Sequence, residues 1–440
     1  MNKEPLTIEE ASSTYQLTAE NHSLPKGYKQ TEVGVIPDDW GVVPITKVTV
    51  QIFLGLTSTV DYVDQGGVPL IRATDIAGGR LSFTNAKTIS IIQHKKLTRY
   101  RIAKRGDVLV SKSGSLGVCA LVDVDQEFSI YESIIVLQPS INLYPQYLLN
   151  LLRHEATQDR IMGGKVGSGV SHLNLEMFRG LIVPLPPTKT EQTAIATALS
   201  DVDALLTKLD QLIAKKRDLK QAAMQQLLTG QTRLLGFSDN TNYKKTEIGL
   251  IPEDWEICQV GSLADYTNGK AHEQSITDCG HYIVVNSKFI STEGRVLKYS
   301  DECLCPAKLG DVLMVMSDVP NGRAIAKCFY VEEGNLYTVN QRICMLSSNK
   351  VDAKLLFYKL NRNKFYLSFD DGAKQTNLRK DDVLSCLIAI PVSQNEQSAI
   401  GKALSDIDDE IAALETRRDK TRDIKQGMMQ ELLTGRIRLI

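Results

Sequence analysis

A run of basic residues is the first feature of this sequence with an obvious chemistry. The segment 94–105 reads HKKLTRYRIAKR and holds six Lys or Arg residues and no acid. Cations this closely spaced release condensed counterions when they meet a nucleic-acid duplex, so the run is a candidate phosphate-facing patch. A solvated helix or strand face is the alternative interpretation.

Short polar loops form a second group of candidate contacts, and they occur in pairs. Residues 106–109 and 310–313 both read GDVL, and they lead into the loops 111–117 (SKSGSLG) and 317–323 (SDVPNGR). Further along, GSGVSHLN in the first half corresponds to GAKQTNL in the second. Amide, hydroxyl and guanidinium groups on such loops are suited to base edges and phosphates. A tight turn with polar side chains is the alternative for any single loop.

We therefore predict a DNA-contacting set in each half of the chain. The first half supplies Arg72, Lys95, Lys96, Lys104, Arg105, Lys112, Ser113, Ser115, Lys165, Ser168, Ser171, His172 and Asn174. The second half supplies Asn286, Lys288, Ser317, Asn321, Arg323, Lys374, Gln375, Thr376, Asn377 and Arg379.

No catalytic motif accompanies these loops. The sequence holds no GxxxxGK[ST] phosphate loop and no Asn-Pro-Pro-aromatic tetrad of adenine methylases. The segments PDD (37–39) and PED (252–254) lack the downstream acid-x-Lys of a nuclease and read better as turns. Cys279, His281, Cys303 and Cys305 could hold zinc, but their spacing favours packed, reduced cysteines. We predict no catalytic residue, no metal ligand and no cofactor bound by this chain.

Composition places the chain among globular proteins. It has 440 residues, 42% of them hydrophobic, and a net charge of −1, which argues against a free-standing nucleic-acid binder held by bulk charge. Its length fits two to four domains. No apolar run approaches the roughly 18 residues of a membrane span, and no signal segment is recognised, so we expect a cytoplasmic location.

An internal duplication organises everything else. YKQTEVGVIPDDW (28–40) recurs as YKKTEIGLIPEDW (243–255), 215 residues later, and the two Trp of the chain are equivalent positions in it. A longer segment, 191–235, recurs as 396–440 at an offset of 205, with about half its positions identical. The segments that lie between the repeated motifs are dissimilar in sequence, apart from the short paired loops described above. The chain therefore alternates variable, constant, variable, constant.

The constant segments predict two long helices. Thr188 with Glu191, and Ser393 with Glu396, are spaced as capping boxes, and Gly230 and Gly435 suit the left-handed position after a helix. Nearly forty residues without proline lie between these signals, about 58 Å of helix. Apolar residues recur at steps of three and four, in the first helix at Ile195, Ala198, Val202, Leu205, Leu209, Leu212 and Leu219. Each helix needs a partner for that stripe, and the sister helix, running antiparallel, is the expected one.

Polar residues on the helices are retained between the copies as well. A merely solvated face does not require such retention, so we predict two equivalent docking sites for one kind of protein partner, with residual ancestry as the alternative. The predicted docking residues are Asp201, Asp203, Arg217, Lys220 and Gln221, with their copies Asp406, Asp408, Arg422, Lys425 and Gln426.

The expected fold is α+β: two mixed α/β recognition domains joined by two long antiparallel helices in a pseudo-twofold repeat. A polar tail, 1–25, precedes the first recognition domain, 26–187, and the central helix, 188–236. The second recognition domain, 237–391, and the C-terminal helix, 392–440, follow.

These motifs in this order resemble the specificity subunit of type I restriction-modification systems. The resemblance rests on the motif 31–40 and its copy 246–255, the PLPP-to-Glu191 junction, and the duplicated helix ending in Leu-Leu-Thr-Gly. It covers the chain from about Gly27 onward. The second junction departs from the pattern, since Ile390-Pro391-Val392 lacks the double proline.

The resemblance implies a division of labour. Each recognition domain would read one half of a split, asymmetric site in double-stranded DNA, and the helices would set the spacer and bind two adenine methyltransferase subunits. Those partners would bring S-adenosylmethionine, and motor-nuclease subunits would bring ATP and Mg²⁺. Two other classes stay open on the residues alone: a scaffold whose variable domains bind proteins, and a fused nuclease or methylase.

Overall fold

The chain forms two units, each containing one of the two variable segments of the sequence and parts of both long helices. A computed structural model describes residues 24–55, 59–99, 101–163, 165–166, 172–237, 242–319 and 322–439. The first unit is Met1–Lys208 with Arg418–Ile440, and the second is Leu209–Arg417. The units thus divide both helices, whereas the sequence-based boundaries set each helix apart from the domains.

The strands of the first unit pair mostly antiparallel. They are β1 Tyr28–Thr31, β2 Gly34–Pro37, β3 Gly41–Pro44, β4 Thr49–Leu54, β5 Val68–Ile71, β6 Lys87–Ile89, β7 Val108–Ser111, β8 Cys119–Leu121, β9 Ser129–Ile130, β10 Ile134–Pro139, β11 Lys165–Val166, β12 His172–Leu173 and β13 Ile182–Leu185. The central sheet has the order β4-β10-β7-β8, a smaller sheet has the order β6-β5-β9, and β1-β2, β3-β13 and β11-β12 form separate pairs.

The second unit repeats this plan with a larger accessory sheet. Its strands are β14 Tyr243–Thr246, β15 Gly249–Pro252, β16 Trp255–Gln259, β17 Ala264–Asn268, β18 Ile276–Thr277, β19 Tyr282–Val285, β20 Tyr299–Ser300, β21 Val312–Val315, β22 Ser317–Asp318, β23 Cys328–Tyr330, β24 Tyr337–Val339, β25 Ile343–Ser348, β26 Thr376–Asn377 and β27 Leu387–Pro391. The central sheet has the order β17-β25-β21-β23, the accessory sheet has the order β18-β20-β19-β24, and the separate pairs are β14-β15, β16-β27 and β22-β26.

Helices in the described residues are mostly short, apart from the two long ones. Their bounds are α1 Ile45–Val48, α2 Ile91–Thr98, α3 Pro145–Arg153, α4 Glu155–Gly163, α5 Leu175–Arg179, α6 Lys189–Thr229, α7 Val260–Leu263, α8 Ser287–Ser291, α9 Ala353–Leu360, α10 Lys364–Leu367, α11 Lys380–Leu384 and α12 Gln394–Leu433. None of these helices is long and apolar enough to cross a membrane.

Strand alternation divides each central sheet between two cores. In β7, Val108 and Val110 face a core that includes Trp40 and residues of both long helices, while Leu109 faces a second core containing Phe128. The second unit does the same on β21, where Met314 faces the helices and Leu313 the accessory sheet. Because successive side chains point to opposite faces, a fully apolar strand requires cover on both sides. The helices provide that cover on one side.

The predicted long helices are confirmed, but their capping boxes form only in part. The backbone amide of Glu191 donates to Thr188 Oγ1 at 3.2 Å, and that of Glu396 donates to Ser393 Oγ at 3.4 Å. The two carboxylates do not return to the cap. Each instead binds an arginine that follows the other helix of its unit, because a guanidinium offers two charge-assisted hydrogen bonds in place of one amide.

This arginine contact occurs once in each unit, and we call it the arginine clamp. Arg438 donates to Asp39 at 2.9 and 3.0 Å and to Glu191 Oε2 at 2.9 Å. Its guanidinium also lies 5.9 Å from the ring centroid of Trp40. The hydrogen bonds from Arg438 hold the pKa of Asp39 below its usual value. The clamp therefore joins the start of the domain, the start of α6 and the residues after α12.

The second clamp uses the equivalent residues of the repeat. Arg233 donates to Asp254 at 2.9 and 2.8 Å and to Glu396 Oε2 at 2.6 Å, and it lies over Trp255. The segments PDD and PED are thus turns, as expected, and their last acid binds arginine.

Glycines after the long helices allow the clamps to form. Gly230 and Gly435 both have φ of +72°, as their sequence position predicts. A Cβ on Gly230 would lie 2.4 Å from Pro252 Cγ, and one on Gly435 would lie 2.6 Å from Pro37 Cδ. Glycine is required at both positions for conformation and for space.

The two long helices run antiparallel within each unit. In the second unit Lys216 pairs with Glu410, and Lys220, one turn later, pairs with Asp408. In the first unit Lys425 binds Asp203 at 2.7 Å. The sister helix leaves part of the apolar stripe exposed to solvent. Leu205, Leu212, Leu219 and Ile424 remain 37–57% exposed.

We predict that Arg438→Met destabilises the first unit by about 3–5 kcal/mol, because the carboxylate of Glu191 would stay buried without its partner. The Glu191 side chain is 3% exposed. Urea or thermal unfolding measures the loss. The matched control is Arg436→Met, whose partner Glu431 is 36% exposed, and it should cost less than about 1 kcal/mol. If both variants lost the same free energy of unfolding, the clamp would not be the stabilising contact that we predict.

Candidate nucleic-acid interface

The two polar loops predicted in the second half of the chain meet in a short β-ribbon. Strands β22 and β26 pair antiparallel, with Ser317 opposite Asn377 and Asp318 opposite Thr376. The backbone amide of Leu378 continues the contact by donating to Met316 O at 2.8 Å. Segments about sixty residues apart in the sequence thus form one polar surface.

Side chains on this ribbon bind one another. Gln375 Nε2 donates to Ser317 Oγ at 2.7 Å and lies 3.3 Å from Asn377 Oδ1. Both amide side chains are exposed. Thr376 lies between them and is buried, and its hydroxyl has no hydrogen-bond partner in the described structure. Gln375 and Asn377 are therefore held in place while they face solvent.

Asp318 shapes the loop beside the ribbon, and the sequence analysis missed it. Its carboxylate accepts backbone amides from Val319 at 2.9 Å, Ala324 at 2.6 Å and Ile325 at 3.1 Å. An aspartate just before a Pro-Asn-Gly segment is a sequence signal for such a turn. A Cβ on Gly322 would come within 2.1 Å of Asp318 Oδ2, so the loop closes tightly on the carboxylate.

Unpaired cations surround the ribbon. Lys374, Arg323 and Arg379 are exposed, and within the described ranges none of them forms a salt bridge. The nearby acids are engaged by backbone amides instead. Asp371 accepts from Ala373 and Lys374, which lowers its pKa, and Asp382 accepts from the amide of Arg379 at 2.7 Å. The cations are therefore available to an anionic ligand.

In the first unit the two corresponding loops also contact each other. The backbone amide of Leu173 donates to Lys112 O at 3.0 Å, as Leu378 does to Met316 in the second unit. Strand β12 carries His172 and pairs with β11, which carries Lys165. Ser113 and Ser115 lie in the loop after Lys112, half-buried and exposed respectively. Lys112 is thus brought next to the His172 strand.

Ser133 joins this surface to Arg72. The amide of Lys112 donates to Ser133 O at 2.7 Å, and the amide of Ala73 donates to Ser133 Oγ at 3.1 Å. Arg72 itself binds Asp75 at 3.2 Å through Nε. Its guanidinium is thus partly engaged in shaping the turn at 73–76.

The basic run lies on α2 and in the loop after it. Lys95 and Lys96 are exposed, whereas His94 is buried and its Nδ1 lies 2.9 Å from Ser129 Oγ on β9. Lys104 is exposed, and Arg105 binds the exposed Asp125 at 2.8 Å. The run is attached to the smaller sheet, and both earlier interpretations of it, solvated face and phosphate patch, stay open.

Of the other predicted contacts, two are helix caps, one is exposed on a helix and three fall outside the described ranges. Asn174 accepts from the Glu176 amide at 2.9 Å, and Asn286 accepts from the Phe289 amide at 2.9 Å. Lys288 is exposed on α8. Ser168, Ser171 and Asn321 are outside the residues that the structure describes.

Repeated polar residues of the helices line a cleft in the second unit. Arg217, Lys220 and Asp408 lie along a cavity of about 620 Å³ between the helices and the recognition domain. Tyr358 on α9 donates to Asp408 Oδ2 at 2.7 Å, and the pKa of Tyr358 is raised by its burial and by that carboxylate. Lys354 donates to Ser405 Oγ at 2.7 Å. We call this space the second cleft.

An equivalent cavity of about 600 Å³ lies in the first unit, lined by Arg422, Lys425 and Gln426, and we call it the first cleft. Arg422 binds Asp419 at 3.2 Å on the same helix. Asp406 is bound by Lys402 at 2.7 Å, and Asp201 and Gln221 are exposed. The duplication thus places equivalent polar side chains in two clefts. The equivalent residues Asp203 and Asp408 each bind a lysine of the sister helix.

Among the described residues there is no group of three or more His, Cys, Asp or Glu side chains that could hold a metal ion. Cys305 is packed, as expected, but Cys279 is exposed.

Comparison with known proteins gives a consistent result. The family model described as the type I restriction modification DNA specificity domain matches residues 37–216 and again 252–421. A protein assigned as the MjaX type I restriction enzyme specificity subunit of Methanocaldococcus jannaschii is 28% identical over 94% of this chain and 97% of its own length. The MjaVIII type I restriction enzyme specificity subunit of the same organism is 26% identical, covering 92% of this chain and 94% of its own.

Solved structures share the fold at low identity. The S subunit of a type I restriction-modification system from M. genitalium superposes with a TM-score of 0.59 at 14% identity, over 93% of this chain and 98% of its own. A chain from a structure on complex assembly and conformational transition of the type I R-M system gives 0.51 at 15% identity, over 91% and 99%.

Proposed function

The chain belongs to the type I restriction-modification DNA specificity family, and from this premise we propose that each recognition domain reads one half of a split, asymmetric DNA target. One observation carries the proposal. The two units share a central sheet order and an arginine clamp, yet the loops that meet at β22–β26 and at Lys112–Leu173 differ in sequence. Common scaffolds with different loops suit two different half-sites.

The ribbon of the second domain has the shape and chemistry of a base reader. The major groove of B-DNA admits a two-stranded β-ribbon, and the amides of Gln375 and Asn377 are groups that recognise base edges. The unpaired cations Lys374, Arg323 and Arg379 would contact phosphates and set the register. A local cation cluster of this kind is compatible with the net charge of −1, since partner subunits would share the phosphate contacts.

Chemistry in this proposal belongs to other subunits. Two adenine methyltransferase subunits would supply S-adenosylmethionine and methylate adenine at N6, and motor-nuclease subunits would supply ATP and Mg²⁺ for restriction. This chain would contribute sequence recognition and assembly. We also propose a cytoplasmic location, where its DNA and partners would be met.

The test is to express this chain with its neighbouring methyltransferase and to map modified adenines in the host DNA. We expect one split motif with two defined half-sites and a fixed spacer. The purified pair should bind that duplex in a salt-sensitive manner. The chain alone, supplied with S-adenosylmethionine, ATP and Mg²⁺, should neither methylate nor cleave DNA, because the catalytic groups would belong to the other subunits.

Different outcomes separate the competing classes. Modification or cleavage by the isolated chain would favour a fused enzyme. Absence of salt-sensitive binding to any duplex, with the methyltransferase still bound, would favour a protein scaffold.

The two clefts support a docking role for the repeated polar residues. Gln221 and Gln426 are exposed at equivalent positions, and Arg217 and Arg422 line the second and first clefts. Two matched surfaces on one chain fit two copies of one partner. We propose that each cleft binds one methyltransferase subunit.

Stoichiometry tests the docking proposal. Arg217→Glu should remove one of two bound methyltransferase copies, and Arg217→Glu with Arg422→Glu should remove both, as measured by native mass spectrometry. The reason is that each charge reversal faces one cleft. Lys208→Glu with Lys364→Glu, which reverses two exposed cations outside the clefts, is the control. Full occupancy in the double cleft variant would rule the clefts out.

The uninterrupted helices support a role in setting the spacer between half-sites. We propose that four residues inserted after Lys208 and four after Arg417 lengthen the spacer, because one turn adds about 6 Å, nearly two base-pair rises. These sites are the unit boundaries, so contacts within each unit are kept. Adenine mapping should show both half-sites unchanged and a longer spacer. An unchanged spacer would contradict the helical ruler.

A further inference from the structure

The ribbon of the second domain carries an inference at the level of one base pair. We propose that Gln375 and Asn377 together recognise an adenine in one half-site of the target, and that Ser317 positions them. This proposal rests on the proposed function, since it names the base that the ribbon reads.

The hydrogen bonds among these side chains decide which groups remain for DNA. Gln375 Nε2 donates to Ser317 Oγ at 2.7 Å and to Asn377 Oδ1 at 3.3 Å, which uses both of its hydrogens. No other side-chain hydrogen bond of these two amides is found in the described parts of the chain. Gln375 Oε1 is thus left as an acceptor, and Asn377 Nδ2 is left as a donor.

One acceptor and one donor together match adenine. In the major groove adenine presents the N6 amino donor and the N7 acceptor, whereas guanine presents two acceptors, cytosine one donor and thymine one acceptor with a methyl group. Guanine would leave Gln375 Oε1 facing another acceptor. Cytosine and thymine would each leave one of the two protein groups without a partner, and an unmatched buried polar group is costly.

The local structure presets the pair before DNA arrives. Residues 375 and 377 are two apart in an extended segment, so their side chains emerge on the same face. Pairing of β26 with β22 fixes the backbone beneath Asn377, and the intervening Thr376 is buried and anchors the segment. Neither amide has to be ordered at the moment of binding, which preserves affinity and selectivity.

The experiment selects duplexes from a library with randomised half-sites, using the complex of full-length chain and methyltransferase. Gln375→Glu replaces the Nε2 donor by a second acceptor, which loses the hydrogen bond to Asn377 Oδ1 and repels that oxygen, so the preset pair is disrupted. Asn377→Asp removes the free donor. Each variant should lose adenine preference by roughly 5- to 150-fold, the discrimination of one bidentate contact, and both should do so at the same position of one half-site.

Two further variants separate base reading from general damage. Lys374→Ala, next to the pair, should weaken binding to all sequences and lower the salt slope by about one without changing base preference. Ser317→Ala should relax the preference at the same position, because it frees Gln375 to rotate. Thermal melting of each variant confirms that the fold is intact.

Several results would overturn the inference. One is that Gln375→Glu and Asn377→Asp both retain the preference for adenine. Another is that the two variants change base preference at different positions or in different half-sites. If wild type selects no half-site at all, the proposed function itself fails. If wild type selects two half-sites and the variants keep them, the function stands and only this assignment is lost.

Discussion

The arginine clamp is the contact on which each unit depends. Arg438 and Arg233 each bind two carboxylates, one from the start of a recognition domain and one from the start of a long helix. The helix-start carboxylates Glu191 and Glu396 are nearly fully buried, so they require that partner. Each arginine follows the end of the other long helix. Three separate chain segments are therefore joined at one guanidinium. The loops of each domain extend from this joined framework.

The duplication explains why the clamp has its particular composition. The end of each long helix packs closely against the start of a domain, and this requires a glycine in the left-handed conformation. The start of the other long helix provides a glutamate whose carboxylate is not used in its own N-terminal cap. Both conditions recur at equivalent positions, Gly230 with Glu396 and Gly435 with Glu191. The two copies thus share residues that are far apart in sequence and that touch neither DNA nor a partner in our proposal.

Sequence patterns predicted the elements well and the side-chain partners poorly. Capping residues, proline-free length and terminal glycines gave both long helices to within a few residues, because those signals are local. The capping box predicted the hydroxyl contact of Thr188 but not the choice of Arg438 by Glu191, because that choice depends on a segment 247 residues away. The shared central sheet order of the two domains was also hidden, since only short echoes such as GDVL survive in the sequence.

The candidate interface illustrates the same limit from the functional side. The polar loops were predicted from composition, and the structure brings Ser317 and Gln375 to within 2.7 Å of each other. Composition alone could not show that the two hydrogens of one amide are used internally, and this is what decides the pattern offered to a base. Local acids matter in the same way: Asp318, Asp371 and Asp382 accept hydrogen bonds from backbone amides and form no salt bridge with the cations beside them in the described residues. In our proposal, the specificity of such a loop therefore depends on the hydrogen-bonding groups that folding leaves unused.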